Sequence, residues 1–164
     1  MILVTVGTQL PFDRLVLAVD AWAAKHPKLE FFAQVGPGAT PPRHMPHADF
    51  VSPAKAESLI RDSELVVAHA GMGSVLTALG ARRPILVMPR KAALGEHRND
   101  HQLATARWLG GRPGVSVAWD ETEVPIMLDA RATLVAGAPI PPYADDAFIA
   151  RLRAVVLDAL GRRG

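Results

Sequence analysis

Leu65-Val66-Val67-Ala68-His69-Ala70-Gly71-Met72-Gly73-Ser74 passes from an unbroken apolar run, through a glycine-rich turn, into residues that suit a helix. Four apolar residues in a row, flanked by polar ones, describe a strand covered on both faces, the habit of parallel sheets. The same unit recurs on either side. Upstream, the apolar run 2–6 stops at Gly7, residues 31–35 stop at Gly36-Pro37-Gly38, and a short strand is expected at 49–51. Downstream, residues 84–88 close at Pro89, and a last strand is expected at 115–118. Helical patterns fill the intervals. Residues 12–25 carry Leu15, Val16, Val19 and Trp22 on one stripe. Ser52-Pro53 caps and opens a helix to residue 62, the glycine turn leads into another through residue 81, and 100–109 form a fourth. A Pro-rich stretch, 139–142, precedes a final amphipathic helix at 146–160, while 39–47 and 90–98 read as loops. Repeated strand–helix units of this size predict an α/β fold, a Rossmann-like parallel sheet with helices on both faces.

The bulk properties agree. The chain has 164 residues, 49% hydrophobic and 21% charged, which fits one globular domain over 1–164 with a real core. A formal net charge of +2 is too mild to argue for nucleic acid, and no cysteine is present for a disulfide or thiolate metal site. The N-terminal apolar run is too short for a signal peptide, and no later run approaches the roughly 20 residues of a membrane span.

Open parallel sheets bind ligands beyond the carboxyl ends of their strands. Three segments stand at such ends: Gly7-Thr8-Gln9, Gln34-Val35-Gly36-Pro37-Gly38 and His69–Ser74. In the last, Gly71 and Gly73 let backbone approach a ligand, and the amides of Gly73 and Ser74 open a helix whose positive dipole end suits a diphosphate. The same glycines would also serve a simple tight turn. No Gly-Lys-Ser/Thr follows, so this is not a Walker loop, and Leu76 rules out a nucleophile elbow. A second constellation, Gly95-Glu96-His97-Arg98-Asn99-Asp100-His101-Gln102, concentrates groups able to hold vicinal hydroxyls, or is simply a solvated capping segment with Asn99 as the helix cap. His97 and His101 have the i,i+4 spacing of a metal pair, but no third ligand is apparent. Arg90, Lys91 and Arg98 flank this segment and could meet a carboxylate on a sugar, or simply face solvent.

Taken together, residues 4–13, 69–74 and 95–102 resemble the nucleotide-sugar-binding, C-terminal domains of GT-B glycosyltransferases of family 28. The likeness is to the single-domain subunits of that family, such as the catalytic subunit of the dolichol-linked N-acetylglucosaminyltransferase and its bacterial exopolysaccharide counterparts. The resemblance implies a UDP-sugar-dependent hexosyltransferase. It implies a UDP-sugar as substrate with no cofactor and no metal, and a membrane-anchored partner that holds a lipid-linked acceptor. It further implies a cytoplasmic chain recruited by that partner to the inner face of the membrane. Position by position, it places Gly7, Thr8, Gln9, Gly71, Met72, Gly73 and Ser74 at the donor diphosphate. Val51 and Thr77 fall at uracil and ribose, and Asn99, Asp100, His101 and Gln102 at the donor sugar. One departure matters: the family carries Glu on the helix after the glycine turn to hold the ribose, and here Thr77 stands in its place.

No Asp, Glu or His is placed by sequence as a catalytic base, so the resemblance leaves that group to the partner. The C-terminal helix, within 144–164, could pack on its own domain or reach to the partner. A non-catalytic nucleotide-sugar-binding or regulatory module is the alternative reading. A dinucleotide-dependent oxidoreductase is disfavoured, because Gly7-Thr8-Gln9-Leu10-Pro11 stands where Gly-x-Gly-x-x-Gly would be required.

Overall fold

A computed structural model describes residues 1–138 and 143–161. Its centre is a six-stranded, wholly parallel sheet in the order β3-β2-β1-β4-β5-β6. The strands are β1 (Ile2–Thr5), β2 (Phe31–Gln34), β3 (His47–Ala48), β4 (Leu65–His69), β5 (Ile85–Met88) and β6 (Val115–Val117). The helices are α1 (Asp13–Ala23), α2 (Pro53–Asp62), α3 (Met72–Gly80), α4 (His101–Leu109), α5 (Glu123–Asp129) and α6 (Asp146–Gly161). The order reverses between β1 and β4, which pair in register from Ile2 with Leu65 to Thr5 with Ala68. That junction is the topological switch point of a doubly wound sheet, where the connections leaving β1 and β4 diverge and leave a crevice.

The continuous apolar runs are explained by burial on both faces. Ile2, Val4 and Val67 point into a cluster with Leu15, Val16 and Val19 of α1 and Leu128 of α5. Leu3, Val66 and Ala68 point the other way, onto Leu59 of α2, Val75 of α3 and Ala106 of α4. Strand alternation thus feeds two half-cores, one per face.

The element boundaries expected from sequence hold with three differences. The third strand lies at His47–Ala48 rather than 49–51. It is pulled forward because Ala33 and Gln34 pair there, while the Asp49 carbonyl is taken by the Gly36 amide. Helix α5 was not expected at all, since Pro125 reads as a breaker. Pro125 occupies the third helical position, where its missing N–H would have no intrahelical acceptor. The cap of α4 is Asp100, not Asn99. Residues 139–142, expected as a Pro-rich linker, lie outside the described residues. Helix α6 has no buried residue, and Phe148, Ile149, Leu152, Val155, Val156 and Leu160 are 41–66% exposed. Among the described residues, no helix is long and apolar enough to cross a membrane.

Candidate functional site

Two clefts open at the switch point and share a ridge formed by Gly7, Thr8, Gly73 and Ser74. The ridge exists because β1 and β4 end side by side and each turns sharply. Gly7 takes φ +78°, which favours glycine, and α3 begins within three residues of the last residue of β4. Gly71 is the cap of α3 and no side chain caps the helix, so the amides of Met72, Gly73 and Ser74 have no intrahelical acceptor. These donors and the positive end of the α3 dipole form an anion-seeking surface. A Cβ built on Gly73 meets nothing within 4 Å, so this glycine borders open space. Gly71 is different: its Cβ would overlap Nε2 of His69.

The first cleft, about 320 Å³, is lined by the ridge together with Gln9, His69, Arg90, His97, His101 and Gln102. Nδ1 of His69 and Nδ1 of His97 are buried without a hydrogen-bond partner. Each leaves an unsatisfied ring nitrogen behind the wall of the first cleft. Burial, reinforced by the positive charge of Arg90, lowers the His69 pKa from 6.5 to about 4, so its imidazole is neutral at pH 7. Burial, then His101 and Arg90, lowers that of His97 too.

A stability test follows from His69. An unfolded histidine takes its proton near pH 6.5, the folded one only near 4. Above 6.5 both states are neutral; as the pH falls toward 4 the unfolded state alone binds the proton, and stability declines before levelling off below 4. Urea titrations of the wild type and His69→Gln should therefore converge by up to about 3 kcal/mol between pH 7.5 and pH 4. Parallel stability profiles would show that His69 titrates normally.

Arg90 lines the first cleft, and the expectation of a loop cation free to meet a sugar carboxylate is corrected here. It is 2% exposed. Its Nη2 donates to the carbonyls of Val6 and Leu10 at 2.8 and 2.6 Å, and its Nη1 to those of Pro11 and Glu96 at 2.6 and 3.2 Å. Phe12 lies beneath the guanidinium at 4.6 Å. Four of its five N–H donors are thus committed to backbone, tying the loop after β1 to the loop after β5. All four acceptors are neutral carbonyls, so none of them cancels the charge directly. The Glu96 carboxylate acts on it electrostatically, while both its oxygens receive Arg14 at 2.7 and 2.8 Å.

The sugar segment divides. Gln102 is 3% exposed and lines the cleft, but its Oε1 accepts from the Arg90 amide at 3.2 Å, leaving its NH₂ to face a ligand. His101 also lines the cleft. Asn99 and Asp100 do not: Asn99 Oδ1 is engaged with the ring and amide of His101, and Asp100 accepts from the Ala92 amide at 2.8 Å. Both are held within the loop because they supply its turn and helix start. Met72 likewise contributes only its amide, since its side chain lines a groove between α3 and α4. The rings of His97 and His101 pack edge to face at 4.5 Å, and among the described residues no three His, Asp or Glu side chains are grouped to hold a metal.

The second cleft, about 370 Å³, opens on the other side of the ridge and contains Val51 and Thr77. The Thr77 hydroxyl donates back to the Gly73 carbonyl at 2.8 Å, so its proton is already used. Among the further residues that line this cleft are Phe50, 59% exposed, and Glu57. An aromatic beside Val51 was visible in the sequence; the α2 residue that faces α3 across a cleft was not.

The model of the glycosyltransferase family 28 C-terminal domain matches residues 1–113. The chain is 36% identical over 108 residues to the UDP-N-acetylglucosamine transferase subunit ALG13 of Eremothecium gossypii, covering 65% of this chain and 51% of that protein. It therefore spans about half the length of this curated relative. Among solved structures, the glycosyltransferase of kitacinnamycin matches with a TM-score of 0.62 at 17% identity, over 80% of this chain and 34% of that one. CalG4, the calicheamicin glycosyltransferase, matches with 0.57 at 16% identity over the same shares. These two show a shared fold, the Rossmann-like half of GT-B glycosyltransferases.

Proposed function

The chain belongs to the glycosyltransferase family 28 C-terminal domain family, and from that premise we propose that it is the donor-holding subunit of a hexosyltransferase that takes a UDP-sugar. The observation that carries this reading is the pair of clefts meeting at one amide-rich ridge. A diphosphate on the ridge would put a sugar in the polar cleft and a nucleoside in the apolar one. The NH₂ of Gln102 and the ring of His101 meet sugar hydroxyls; Val51, beside Phe50, receives the base. The relative's description as a transferase subunit supports a heteromer. In this proposal a membrane-associated partner holds a lipid-linked acceptor, and the chain works at the inner face of the membrane.

In the transfer, an acceptor hydroxyl attacks the anomeric carbon, the bond from that carbon to the diphosphate oxygen breaks, and UDP departs with one more negative charge. The hydroxyl proton goes to a base supplied by the partner. This chain's contribution is to meet the growing charge with fixed dipoles: the amides of Met72, Gly73 and Ser74, the α3 terminus, and the field of Arg90. Neutral His69 adds no charge there. No metal enters the proposal.

Gly73→Val tests it directly. The Cβ enters open space, so the fold should survive while the ridge is covered. UDP affinity by calorimetry should fall at least tenfold, about 1.4 kcal/mol. A folded Gly73→Val chain that binds UDP as the wild type does would remove the diphosphate from this ridge.

A further inference from the structure

The second cleft has an apolar floor, in Val51, Pro53, Ala56 and Ile60, and among its described lining residues a single ionisable side chain, Glu57. Glu57 lies on α2, which packs beside α3, and lines the same cleft as Thr77. Its carboxylate is 62% exposed, and its ion pair is a long i,i+4 contact with Arg61 at 3.8 Å, with both groups open to water. Such pairs hold their partners weakly, so the carboxylate is free to turn into the cleft. Thr77, by contrast, has spent its only proton on Gly73 and offers no charge. A vicinal diol presents two O–H donors side by side, and the matching acceptor is a carboxylate with two oxygens.

We propose that Glu57 is the ribose-recognising residue of this chain, accepting hydrogen bonds from the 2′- and 3′-hydroxyls of the donor nucleotide across the cleft from Thr77. The proposal rests on the donor-site reading above and adds a specificity to it. The site selects ribonucleotide over deoxyribonucleotide donors, and the selecting group comes from α2 rather than α3. The apolar floor favours this arrangement, because a planar base seated there directs its sugar toward the ridge and past α2.

The test compares UDP with 2′-deoxy-UDP by calorimetry on the wild-type chain, Glu57→Ala and Arg61→Ala. The wild type should prefer UDP about tenfold, the discrimination expected when one charge-assisted hydrogen bond is lost. Glu57→Ala should bind UDP about tenfold more weakly and show a ratio near one. Arg61→Ala should keep the preference, because it removes only the competing cation. A Glu57→Ala chain that keeps the wild-type ratio overturns the proposal, as does an Arg61→Ala chain that loses it equally, since the effect would then be one of helix stability. A wild type that binds both nucleotides equally well also refutes it while leaving the donor site standing. Failure of the wild type to bind UDP at all would sink the donor site itself.

Discussion

Replacing Arg90 with methionine should lower both stability and UDP affinity, and by more than any other single substitution at the site. Four backbone carbonyls, of Val6, Leu10, Pro11 and Glu96, lose their donor at once. A buried acceptor left dry costs about 1–3 kcal/mol, so a loss of at least about 3 kcal/mol is expected even if water reaches some of them. The loop after β1 then loses its tie to the loop after β5, and the ridge loses the cation behind it. UDP affinity should drop about a hundredfold, near 2.7 kcal/mol. Arg90→Lys keeps the charge but cannot span four acceptors, so it should recover more of the affinity than of the stability. Urea unfolding and calorimetry read the two effects separately. If either variant, while folded, binds UDP as tightly as the wild type, Arg90 is a structural tie and nothing more.

Deletion of residues 144–164 should have the opposite character: a large loss of assembly with no loss of fold. Helix α6 buries none of its residues against the sheet or its helices, so its removal should change the stability of the remainder by less than about 0.5 kcal/mol. UDP binding should also persist. Yet the helix displays Phe148, Leu152 and Val155 along one side, and apolar surface of that kind marks a contact site. In the proposed heteromer, the truncated chain should fail to co-purify with its membrane-associated partner, and transfer to lipid-linked acceptor should disappear. A truncated chain that cannot fold would instead place α6 in its own core; one that still captures the partner would locate the contact elsewhere.

What the sequence revealed and what it concealed divide along physical lines. Runs such as Leu65–Ala68 are legible because burial on both faces leaves no polar residue to interrupt them. The glycine turn is legible because a helix opening at a strand end needs little else. The fold gathers Gly7, Thr8, Gly73 and Ser74 at one ridge and leaves Asn99, Asp100 and the Met72 side chain outside both clefts. Those three are spent on local turns or on another groove, and a polar or apolar letter does not say which way its side chain faces. Arg90 was misread for a related reason. An arginine beside a lysine in a polar loop looks solvated, and only the fold brings four carbonyls from separate segments around it. Glu57 carries no signal in the sequence, since only the packing of α2 beside α3 brings it to the cleft of Val51 and Thr77. Helix α5 was hidden by a proline at a position where proline does no harm.

The imidazole of His69 sits against both turns of the ridge: a Cβ on Gly7 would come within 2.8 Å of its Cε1, and one on Gly71 would overlap its Nε2. Positions 7, 69 and 71 are therefore one steric unit spread over two strands. A drift toward alanine at either glycine is barred for as long as the ring stays, however neutral alanine is elsewhere. Shrinking residue 69 would lift the bar at position 71, while position 7 would still carry its left-handed backbone. In a lineage or a mutant library these three letters should thus change in a set order, the ring first and Gly71 after it, with Gly7 the last to go.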